Sequence, residues 1–147
     1  MKHAPFATIC SALLILLWVY TATSKLLDRA TFENTLEKAP YISSWHAFLA
    51  VGIPLAELGL AALLLTDRWR LQGLMGSAAL LLLFTLYIAV GLATAKDLPC
   101  SCGGVISSMG WGAHLLFNLG MTGMALAGLR PEKVSPGMSP AYPDRTS

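Results

Sequence analysis

Four long apolar stretches divide the chain, with short polar stretches between them. Phe6–Ser24 runs 19 residues without a charge, and His46–Thr66 runs 21 with one, Glu57. Leu71–Ala95 runs 25 residues and Trp111–Leu129 runs 19, neither with any charge. About 20 residues of α-helix cross a hydrocarbon core of about 30 Å. Backbone polar groups in lipid must be bonded within their own segment, so stretches of this length are read as helices. The pattern predicts an all-α membrane protein, a bundle of four transmembrane helices over about 6–24, 46–66, 71–95 and 111–129. Between the first two, Arg29–Ser44 is amphipathic. Phe32 and Leu36 share one face and Glu33 and Glu37 another, which predicts a short interfacial helix ending before Pro40. The segment 131–147 is polar with four prolines and is expected to be disordered.

Composition agrees with this pattern. Hydrophobic residues make up 55% of the 147 and charged residues 12%, about half the charged share of a soluble domain. The net charge of +2 comes without a basic cluster or interleaved aromatics, so nucleic acid is not expected as a partner; membrane lipid is. Lys2, Arg68, Arg70, Arg130, Lys133 and Arg145 fall on one side of the predicted helices, and Lys25, Arg29, Lys38 and Lys96 on the other. The positive-inside bias then puts both termini in the cytoplasm (N-in, C-in, with a cytoplasmic tail). The loop around residues 100–102 then faces outward, into the periplasm of a bacterial inner membrane. Lys2 and His3 before the first stretch also suit a secretory leader. The length of the apolar part and the poor cleavage pattern at Thr21–Lys25 favour a retained helix.

Several polar residues lie inside the apolar stretches. Glu57 is about 16 Å below His46 at 1.5 Å per residue, near the membrane middle. An ionisable group there is costly and is expected to face the bundle. It reads as paired with a cation, or as neutral and bonded to a carbonyl that Pro54 frees by lacking an N–H and kinking the helix. Lys25 reads as snorkelling to the interface or as partner to a bundle acid. Trp18 and Tyr20 suit an aromatic belt. Gly73, Gly76, Gly120, Gly123 and Ala127 suit close helix packing. Ser107 and Ser108 are candidate caps for the fourth helix. On that helix Trp111, His114 and Asn118 lie near one another. With Tyr87 on the third, Glu57, Tyr87, His114 and Asn118 are expected to form a polar column under the 96–110 loop.

That loop holds Pro99-Cys100-Ser101-Cys102-Gly103-Gly104, with two of the chain's three cysteines. A relaxed disulfide is hard to close across one residue. Strained, exposed disulfides are the labile and catalytic ones. A following helix N-terminus favours thiolate, and His114 is placed to tune it or carry a proton. Thiol–disulfide exchange is the leading reading. Metal binding with His46 or His114 as further ligands, and cysteines that stay reduced, remain open. Cys10, at the other end of helix one, reads as a packing residue.

The string Pro99–Ile106, followed by Trp111, His114 and Phe117-Asn118, closely resembles the MauE/DoxX-like redox-associated membrane proteins. Tyr20 with Ser24–Asp28 and Phe32, Pro54 with Glu57, and Phe84-Thr85 with Tyr87 extend the resemblance from about Val19 to Leu129. It implies a four-helix membrane protein with Cys100 and Cys102 as redox cysteines, supported by His114, Asn118 and Glu57. It further implies a role in disulfide maturation of a periplasmic client, as MauE is associated with the disulfide-rich small subunit of methylamine dehydrogenase. The implied partner is a thioredoxin-like or disulfide-containing protein. DoxX-like relatives bring in a membrane quinone as an alternative cofactor, although this chain has one exposed cysteine pair rather than two. A non-enzymatic metal-handling or assembly factor is a further alternative. No resident metal or cofactor is assigned.

Overall fold

Buried positions on each long helix fall on a single stripe, and the stripe is more polar than the face opposite. A computed structural model describes residues 5–39, 41–94 and 110–129. In helix α1 (Pro5–Leu27) the stripe is Cys10, Leu14, Trp18, Thr21, Ala22 and Lys25, at the spacing of one helix face. Its other faces carry Ile9, Leu13 and Leu16, all exposed. Helices α3 (His46–Leu65), α4 (Arg70–Thr94) and α5 (Trp111–Gly128) follow the same rule. Leu55, Leu83, Leu86 and Leu116 point outward while Glu57, Ser77, His114 and Asn118 point in. Helices that are apolar all round belong in a membrane or a large core. Among the described residues three helical stretches, Phe6–Leu27, Ser43–Leu65 and Arg70–Thr94, are long and apolar enough to cross a membrane. Helix α5, 18 residues long, has His114 and Asn118 in its first half and is not among them.

Helix α1 packs on α3, α3 on α4, α4 on α5 and α5 back on α1. Leu14, Trp18, Ala61, Leu64, Leu74, Ala78, Leu81 and Ala125 meet in the core between them. Small residues set the α3–α4 approach. A Cβ on Gly73 would lie 3.0 Å from the Leu64 backbone nitrogen, and one on Gly76 would lie 2.5 Å from Leu60 Cδ2. Gly128 similarly accommodates Cys10 and Leu74, consistent with a packing role for Cys10. Gly120 and Gly123 depart from expectation, since a Cβ on either meets nothing within 4 Å.

Helix α1 runs three residues past the expected end, so Lys25 is helical. Nothing from Thr21 to Leu27 breaks a helix, and the chain turns only at Asp28. The Asp28 carboxylate accepts the Thr31 N–H at 3.3 Å and caps α2 (Arg29–Lys38). The amphipathic reading of α2 holds: Phe32 and Leu36 are buried against Ala50, with Leu49 and Ile53 packed around them. One 3-10 turn, Ser43–Trp45, leads into α3, which continues through Pro54. Trp18 does not belong to an aromatic belt. It is 1% exposed, and its indole N–H donates to Ser77 Oγ at 2.9 Å, so α1 and α4 share a buried polar tie. Gly110 is the N-cap of helix α5 and supplies no side-chain cap bond; Ser107 and Ser108 lie outside the described residues.

Candidate functional site

Lys25 and Glu57 form an ion pair inside the helices. Lys25 Nζ donates to Glu57 Oε1 at 2.7 Å, with Glu57 wholly buried and Lys25 6% exposed. The ammonium also reaches the Thr21 carbonyl at 3.5 Å, one turn back on α1, and lies 5.7 Å from the centre of the Phe32 ring. Lys25 therefore partners a bundle acid, and the pairing resolves both alternatives left by the sequence. An isolated charge at this depth costs about 2.5–3.5 kcal/mol on insertion scales, so each residue makes the other tolerable. Glu57 Oε2 has no hydrogen-bond donor among the described residues. The Thr21 hydroxyl donates to the Trp18 carbonyl at 3.3 Å.

Lys25 also lines a cavity of about 410 Å³ whose walls come from all five described α-helices. Phe32 and Leu36 of α2, Leu49 and Ile53 of α3 and Phe84 of α4 make it mostly apolar. Tyr87 of α4 and His114 and Trp111 of α5 complete the lining. The Trp111 and His114 rings are stacked, with centroids 6.3 Å apart and planes 7° from parallel. One turn separates them because both lie on the buried side at the start of α5. Tyr41, at φ 71° in the left-handed region that non-glycine residues seldom adopt, donates its phenol to Thr94 Oγ1 at 3.0 Å. That bond ties the α2–α3 connection to the end of α4.

The expected polar column is thus divided. Tyr87 and His114 share the cavity wall with Lys25 and Trp111. Glu57 is not part of the wall and is linked to it through Lys25. Asn118 is buried on the same stripe as His114 but is not part of the wall. Its Nδ2 has no acceptor among the described residues, while its backbone carbonyl accepts the Thr122 hydroxyl at 2.7 Å. Cys100 and Cys102 lie outside the described residues, on the 95–109 segment between α4 and α5. Among the described residues no three His, Cys, Asp or Glu side chains cluster as metal ligands would. The arrangement supplies hydrogen-bond donors and a balanced charge to an otherwise apolar chamber. Sequence reasoning missed the Trp18–Ser77 tie, the Tyr41–Thr94 tie and the place of Phe32 over Lys25. Only the last left a signal, because the buried face of α2 immediately follows Lys25.

A family profile described as methylamine utilisation protein MauE matches residues 3–131. The chain belongs to the MauE family. No curated protein and no solved structure matches it. The matched stretch contains every described helix of this MauE-family chain, the Lys25–Glu57 pair and the cavity lining. It also contains the segment that holds Cys100 and Cys102. Family membership and the three membrane-length apolar helices among the described residues together make this a multi-pass membrane protein of the MauE family.

Proposed function

We propose that this MauE-family protein supports thiol–disulfide exchange at the periplasmic face of a bacterial inner membrane, with Cys100 and Cys102 as the exchanging pair. In this reading all four long helices span the membrane, and both termini are cytoplasmic. The client is a periplasmic thioredoxin-like protein or a maturing disulfide-containing protein. The observation that carries it is the cysteine spacing, one residue apart on the connection between α4 and α5. Disulfides held at that spacing are strained and readily exchanged. The Lys and Arg distribution supports the orientation, and the periplasm supports the persistence of disulfides.

The exchange needs no cofactor of its own. A thiolate of one pair attacks the disulfide of the other, one S–S bond forms as another breaks, and the leaving sulfur departs as thiolate. Resolution by the second thiol completes a two-electron transfer between the pairs. His114, on the first turn of α5 and beside Trp111, takes the role of tuning a thiolate or carrying its proton.

Trapping tests this reading. Cys100→Ser or Cys102→Ser should accumulate a mixed disulfide with a periplasmic protein, visible as a reducible adduct. Absence of any adduct from both variants, or full function of a doubly substituted chain, contradicts it and favours an assembly scaffold.

A further inference from the structure

Apart from His114, the residues that line the cavity between the helices have no part in the exchange just proposed, yet the cavity is built for a ligand. Its volume of about 410 Å³ falls within the range of small-molecule pockets, about 300–1,000 Å³, and such pockets combine apolar walls with a few convergent polar groups. Here those groups are Lys25, Tyr87 and His114. Lys25 is 6% exposed and His114 4%, so both are held inside the helices rather than at the surface.

A lysine ammonium has three N–H donors. Among the described residues two have acceptors, Glu57 Oε1 at 2.7 Å and the Thr21 carbonyl at 3.5 Å. The third is available to the cavity that Lys25 lines. The charge of Lys25 is already balanced by Glu57. An anionic ligand would therefore bring a second, uncompensated negative charge into an apolar chamber, which is heavily disfavoured. A neutral acceptor oxygen avoids that cost and gains a charge-assisted hydrogen bond.

We infer that the cavity binds a neutral, largely apolar molecule through a carbonyl oxygen on Lys25 Nζ, with its body against Phe32, Ile53, Phe84 and Trp111. Two molecules of a membrane offer this chemistry: the head group of a lipid-soluble quinone and the ester of a neutral glyceride. The site shares His114 with the cysteine chemistry but does not rest on it, and its test reads binding alone.

The full chain in lipid nanodiscs is titrated with radiolabelled decylubiquinone and, separately, with radiolabelled dioctanoylglycerol. At least one should bind saturably at about one per chain. Quinone binding that dioctanoylglycerol fails to displace assigns the site to the quinone class. Displacement, or saturable binding of dioctanoylglycerol alone, assigns it to the ester. Ile53→Trp fills the chamber and should weaken binding tenfold or more. Lys25→Met with Glu57→Leu removes the donor without leaving a lone buried charge, and should weaken binding about tenfold or more. Lack of a saturable component for both probes overturns the inference, as does parental affinity in both variants.

Discussion

Lys25 Nζ lies 2.7 Å from Glu57 Oε1, joining the last turn of α1 to the middle of α3 where both side chains are buried. Among the described helices, α1 and α3 make the most extensive pairwise contact. Each charge is acceptable at this depth only because of the other. That asymmetry separates the effect of breaking the pair from the effect of removing it.

Lys25→Met alone should therefore destabilise the protein by about 3–5 kcal/mol, because Glu57 is left without a counter-charge. Lys25→Met combined with Glu57→Leu should recover most of that loss. Thermal unfolding in detergent measures both. A double variant as unstable as the single one would show that the pair is not what the seam depends on.

The glycines divide into two classes that differ in their predicted response to alanine. Gly73→Ala brings a Cβ to 3.0 Å from the Leu64 backbone nitrogen, so α3 must move, and a clear loss of thermal stability should follow. Gly76→Ala meets only the flexible end of Leu60 and should cost less. Gly120→Ala and Gly123→Ala enter open space within α5 and should be neutral or stabilising by up to about 1 kcal/mol.

Ser77→Ala leaves the Trp18 indole N–H buried without an acceptor and should cost about 1–3 kcal/mol. Trp18→Phe in the Ser77→Ala background should cost less than it does alone. A double-mutant cycle on unfolding measures the coupling, and additive effects would mean that the bond contributes nothing.

Asp28→Ala removes the side-chain acceptor of the Thr31 N–H and should lower stability by about 1 kcal/mol. It should also loosen α2 over the cavity. Hydrogen exchange at the first turn of α2 is the local readout, and unchanged protection there would contradict the capping role.

The helices were legible because membrane-length apolar stretches leave the backbone one way to satisfy itself. The face of α2 was legible because Phe32 and Leu36 alternate with acids at helical spacing. The inward faces of the long helices were harder to read, since Leu and Ile surround them on every side and periodicity has little contrast. Trp18 illustrates this. Its distance along α1 suited an interfacial anchor, and only packing against α4 shows that it faces Ser77. Lys25 was ambiguous for a related reason: a flexible stem reaches either the interface or the interior, and the position of Glu57 on another helix decides between them. Asn118 and Glu57 are both buried among the helices, but spacing along an axis does not specify which residues share a cavity wall.

The orientation of the cysteine pair is tested most directly by labelling intact cells with a membrane-impermeant maleimide after mild reduction. The chain used should carry Cys10→Ala, so that Cys100 and Cys102 are its only thiols. The account predicts labelling before permeabilisation, abolished by replacing both cysteines with serine. Labelling only after the inner membrane is permeabilised would place the pair in the cytoplasm and contradict it.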